Sequence, residues 1–217
     1  TCALPICARS YLDVNCAPCH RMHAGGAVLS KMHADLALEK TDMVGTLPSQ
    51  GNFAMPAGRV IAPGDPFRSV LYYRMAKTGS GRMPHIGSRE VDRHGLALMQ
   101  NWIEQLPREW EKNLAGVPAA KANRKHQEKL LQMVTRSNDP EASGTAIQQM
   151  LQSTSGALLL MSSIDKGELP EERSSSVIAQ AIGHESSVIR ELFERYLPPE
   201  KRVKKLGRSE EHTSELQ

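Results

Sequence analysis

The chain has 217 residues, enough for one or two small domains, and its 27 Lys and Arg against 24 Asp and Glu leave a formal charge of +3. Charges of both signs are interspersed, which argues against a nucleic-acid partner, and no apolar run approaches the ~20 residues needed to span a bilayer. Aromatic residues make up 4% of the chain, too few for a large aromatic core, so a small domain here would gain from a bulky group at its centre.

Taken in order, the first predicted element is a helix over residues 8–15, with Tyr11, Leu12 and Val14 as its apolar positions and Pro5 limiting its backward extension. It runs into Asn15-Cys16-Ala17-Pro18-Cys19-His20, a complete C-x-x-C-H sequence, the attachment signature of a c-type haem. Two thiols at this spacing can add across the two vinyl groups as thioethers, and the adjacent imidazole becomes the proximal iron ligand. A redox dithiol calls for a βαβ context that is missing around this motif. A zinc site would have to recruit Cys2 and Cys7 in an irregular spacing rather than two matched knuckles. Cys2 and Cys7 can otherwise pair as a disulfide or stay free.

A glycine-ended loop follows over residues 21–26, then an extended stretch at 28–32 and a helical turn at 35–40. Residues 41–66 are rich in Gly, Pro, Ser and Asn and read as an irregular wrapping loop. Asp65 as N-cap and Pro66 in the first turn start a helix through Phe67, Val70, Leu71, Tyr72, Tyr73 and Met75. The segment Thr78-Gly79-Ser80-Gly81-Arg82-Met83-Pro84-His85-Ile86-Gly87-Ser88 reads as a shaped loop. Residues 92–106 form an amphipathic helix with Leu96, Met99, Trp102, Ile103 and Leu106 on one stripe, stopped by Pro107.

This order resembles a small class I cytochrome c domain, specifically those of planctomycete-type multidomain haem proteins. The match rests on Cys16-Ala17-Pro18-Cys19-His20, Ala62-Pro63-Gly64-Asp65-Pro66, Ser69-Val70-Leu71-Tyr72-Tyr73-Arg74, Gly79-Ser80-Gly81-Arg82-Met83-Pro84-His85 and the Gly95 to Ile103 stretch. It implies a mostly α protein: a cytochrome c domain over 1–107, a linker over 108–122, and an α-helical, HEAT-like module over 123–207 leading toward a missing second haem domain. It also implies one covalent haem c, electron transfer to or from redox proteins or a fused dehydrogenase domain, and a periplasmic or otherwise extracytoplasmic site, with the secretion signal expected upstream of Thr1. The chain itself is then an electron-transfer module and not an enzyme. The alternative is a catalytic or sensing haem with a labile distal ligand.

Cys16, Cys19 and His20 are the expected haem-binding residues, and Met83 is the expected sixth ligand because its loop precedes the Trp102 helix. Met55 is the main rival, followed by His23, His33, His85 or an open position. Arg74 and Arg82 are candidates for the haem propionates, since a guanidinium matches a carboxylate bidentately. In the second half, helices are expected at 123–136, 141–153, 156–166, 170–183 and 186–197, with no catalytic spacing among them. The last ten residues, 208–217, resemble the translation of a sequencing adapter and are set aside.

Overall fold

The computed structural model describes residues 3–24, 29–85, 90–111 and 116–202. Cys2, Gly25 and Gly26, the residues 86–88 end of the Met83 loop, and the adapter-like tail lie outside them. The fold is mostly α: eight α-helices and five 3-10 turns, with no strand among the described residues. No helix among them is long and apolar enough to cross a membrane.

Helix α1 spans Leu4–Asn15, four residues longer than expected at its start. Pro5 falls in its first turn, where the missing N–H would have no intrahelical acceptor, so it opens the helix instead of limiting it. The expected helix after Asp65 is divided. Asp65 accepts from the Phe67 N–H and caps a 3-10 turn over Pro66–Arg68, and α2 begins only at Val70–Ala76. The break lies at Ser69, which is extended because it forms a parallel bridge with Arg59. Its Oγ accepts from the Ala62 N–H and donates to the Asp65 carbonyl. The 41–66 stretch is likewise pinned, by a bridge between Val44 and Ile61.

Helix α3, Arg93–Gln105, is capped by Asp92, whose carboxylate accepts from the Gly95 N–H. Its predicted stripe, Leu96, Met99, Trp102 and Ile103 together with Leu106, is buried. It packs against α1 at Gly95 and Tyr11, where any Cβ on Gly95 would overlap the Tyr11 ring and hydroxyl. Only glycine permits that approach.

The remaining helices are α4 (Val117–Arg136), α5 (Pro140–Leu151), α6 (Thr154–Asp165), α7 (Glu171–Ile182) and α8 (Ser187–Phe193). The α4 helix begins inside the stretch read as a linker, entered from Gly116 at φ 84° with a proline in its first turn. At its N-terminus α6 lies so close to the Met150 carbonyl that Gly156 has no room for a side chain. The last predicted helix is shortened: α8 passes into a 3-10 turn over Glu194–Tyr196.

Both halves of the chain share one continuous apolar core. Polar contacts tie them together as well. Gln100 Oε1 accepts from Tyr72 at 3.0 Å and from Ser162 at 2.9 Å, joining α2, α3 and α6. Arg68 is buried between Asp65 at 3.0 Å and Glu111 at 2.6 Å, which anchors the segment after Pro107.

Candidate haem site

The motif is shaped by the end of α1. The N–H groups of Cys16 and Ala17 both donate to the Leu12 carbonyl, and those of Cys19 and His20 donate to the Cys16 carbonyl at 3.1 and 2.8 Å. These bonds close a tight turn from Cys16 to His20 just past the end of α1. Cys16 is half-buried, Cys19 is exposed, and both thiols are free. Cys7 is disulfide-bonded, so a four-thiolate zinc set is not available. No group of three or more His, Cys, Asp or Glu side chains converges among the described residues.

Burial acts in opposite directions on the thiol and the imidazole of the motif. Burial, with a smaller contribution from Cys19, pushes the Cys16 thiol up to about 11. Catalytic C-x-x-C pairs depress a thiol instead, because the thiolate is the nucleophile. His20 is moved the other way. Burial lowers its pKa most, and the charges of Arg74 and His85 lower it further, against a raising contribution from Ser30. The imidazole is thereby kept neutral, the form that ligates metals. Its Nδ1 lies 3.1 Å from Ser30 Oγ, and the His20 carbonyl accepts from the Met32 N–H. With Nδ1 engaged, Nε2 is the nitrogen left for a metal, the arrangement that fixes a ligand histidine's orientation.

The Met83 loop faces the same region. The Met83 N–H donates to the Arg74 carbonyl at 2.9 Å, and the Arg74 guanidinium donates to the Gly81 carbonyl at 2.7 Å. Met83 is half-buried and lines a cavity of about 160 Å³ with Tyr11, Asn15, Met75, Arg82, Pro84 and Asp92. That cavity therefore reaches from the residue before Cys16 to the Met83 side chain. It is smaller than the ~300–1,000 Å³ of typical enclosed ligand sites, so a haem held by this donor set would not be enclosed in it alone.

The rivals of Met83 sit elsewhere. Met55 is fully buried in the apolar core, inside a tight loop where Phe53, Ala54 and Ala57 have positive φ. His23 and His85 are exposed, and His33 stands 3.7 Å from the Asp13 carboxylate. Arg74 is half-buried with no carboxylate partner among the described residues; it lies over the Phe53 ring, 4.8 Å from the centroid. Arg82 donates to the Glu90 carbonyl. Gly64 meets the end of α3, where its N–H donates to the Ile103 carbonyl.

The donor set fits a c-type haem: two free thiols, an imidazole whose Nδ1 is engaged, a methionine lining a cavity beside the motif, and a guanidinium without an acidic partner among the described residues. Ser30, Met75 and Asn15 were not legible as site residues. Ser30 is one of many loop serines, and Met75 reads as ordinary helix core. The chain matches no family model, no curated protein and no solved structure.

Proposed function

We propose that this chain carries one covalent haem c and serves as an outer-sphere electron carrier. Cys16 and Cys19 would hold the porphyrin, His20 would bind the iron through Nε2, and Met83 would be the opposite ligand. The first half would then be a class I cytochrome c domain and the second a HEAT-like helical module. The site would be extracytoplasmic, exchanging electrons with redox proteins or a fused dehydrogenase domain. A haem bound there supplies a one-electron Fe(III)/Fe(II) couple, whose potential a thioether ligand raises.

The observation that carries this reading is the motif's geometry: both thiols free beside a His20 whose Nδ1 is already engaged. Ser30 orients the imidazole and burial keeps it unprotonated. Arg74, with no acidic partner among the described residues, is suited to a propionate. If His20 and Met83 both held the iron, no open position would be left for substrate, which would favour electron transfer over catalysis. The cavity at Met83 is the one feature favouring the alternative, a catalytic or sensing haem whose distal ligand leaves to admit a small molecule.

The test is expression of the full chain with a secretion signal and a c-type maturation system. Haem should resist acid–acetone extraction, and Cys16→Ala with Cys19→Ala should lose it. The oxidised protein should show a weak sulfur-to-iron band in the far red, abolished by Met83→Ala, with a lowered midpoint potential, and retained in Met55→Ala. Complete extraction from the parent protein would end the c-type reading. Tight carbon monoxide binding by the reduced parent protein would favour the labile-ligand alternative.

A further inference from the structure

Resting on that reading, we propose that α8 positions the distal ligand: Glu191 and Glu194 hold Lys77 and Thr78 at the root of the Met83 loop, so the helical half of the chain governs how readily Met83 is displaced. The loop leaves the end of α2 at Ala76 and returns past Met83. Its root is held by residues more than a hundred positions away. The Thr78 N–H donates to the Glu191 carbonyl at 2.8 Å, and the single hydroxyl proton is shared between Glu194 Oε2 at 2.6 Å and that carbonyl at 3.0 Å. The Lys77 ammonium pairs with the Glu191 carboxylate and also donates to the Ser80 carbonyl.

These contacts follow from where α8 ends. The last four carbonyls of a helix have no intrahelical partner, and Glu191 is among them in a helix that closes at Phe193. Thr78 supplies the missing donors. Lys77 is 4% exposed and Glu191 8%, so removing either charge would strand the other in the interior. The Tyr73 hydroxyl adds a bond to the Val188 carbonyl on the same helix.

From that root the hold passes along the loop. Lys77 fixes the Ser80 carbonyl, Arg74 fixes the Gly81 carbonyl, and the Arg74 carbonyl accepts from the Met83 N–H. Lys77, just past the end of α2, is the cation that α8 holds, and Arg74 stands one turn earlier in α2. An external ligand must first pull Met83 away. Its apparent affinity is scaled by the fraction of protein in which the loop has already let go.

The experiment titrates imidazole into the oxidised, haem-loaded full chain while following the far-red band. In Thr78→Val the apparent imidazole affinity should rise roughly tenfold, the order of one hydrogen bond to a charged group, and the band should weaken. Thr78→Ser, which keeps the hydroxyl, should stay within about twofold of the parent protein by the same reasoning. Val134→Ala, a buried change in α4, should lower the melting temperature and leave the affinity alone. Glu194→Gln gives a second variant should Thr78→Val not mature, with a smaller change in the same direction. Unchanged affinity in both variants, while Met83→Ala still abolishes the band, overturns the role of α8 and leaves the electron-carrier reading standing. An equal rise in Val134→Ala also overturns it, because the effect would then be general stability. Survival of the band in Met83→Ala removes the ligand assignment itself.

Discussion

Replacing Gly95 by alanine tests the crossing that brings the motif helix and the last helix of the first half together. In an open helix this change stabilises by up to ~1 kcal/mol, because alanine loses less backbone entropy than glycine. Here the new Cβ would overlap the Tyr11 ring and hydroxyl, so the ring has to move. Forcing a methyl into a packed contact costs ~1–3 kcal/mol. Moving the ring also breaks its 3.0 Å hydrogen bond to Asp92, which is solvent-exposed and therefore contributes only about 1 kcal/mol. The sum is a net loss of about 1–3 kcal/mol once the propensity gain is subtracted. For a chain of this length, that is a fall in melting temperature of roughly 2–12 °C. Urea unfolding followed by circular dichroism gives the free energy, and a double-mutant cycle gives its origin. In a Tyr11→Ala background the obstruction is gone, so Gly95→Ala should become neutral or stabilising. A Gly95→Ala protein more stable than its parent, with Tyr11 intact, would refute the close crossing.

Two further outcomes follow from the polar contacts. Asp92 is held below the usual carboxylate range, mainly by the Gly95 N–H and then by the Tyr11 hydroxyl and His94. A depressed native pKa adds stability above the ordinary carboxylate range that is lost as pH falls through the native value. Urea midpoints should therefore drop between about pH 5 and about pH 3, and Asp92→Asn should flatten part of that drop. Glu111→Ala leaves the buried Arg68 with Asp65 as its remaining carboxylate, and should cost about 3 kcal/mol in urea unfolding, at the low end for a broken buried pair. A loss below about 0.5 kcal/mol would mean that Glu111 is loosely attached, as expected of a surface pair.

The sequence by itself determined what is local. The Cys16-Ala17-Pro18-Cys19-His20 spacing, the buried stripe from Leu96 to Ile103, the Asp65 cap and the helical character of the second half all lie within a few turns of chain, where period and capping chemistry operate. The tertiary structure decided what depends on distant partners. Pro5 read as a limit, yet Pro5 in a first turn begins α1. Phe67 to Met75 read as one helix, but Arg59 draws Ser69 into an extended bridge and splits it. Residues 108–122 read as a linker, but Glu111 is buried on Arg68 and α4 starts at Val117. Within the site, Cys16, Cys19 and His20 were contiguous and Met83 stood out by its glycine-rich loop, whereas the Ser30 contact and the cavity at Asn15 and Met75 were not visible. A hydrogen bond such as Thr78 to Glu191 spans 113 residues and leaves no periodic trace in either segment. Such contacts arise only when two separately specified helices are packed on one core, because burial then forces each unpaired donor and acceptor to find whatever partner the packing brings within reach.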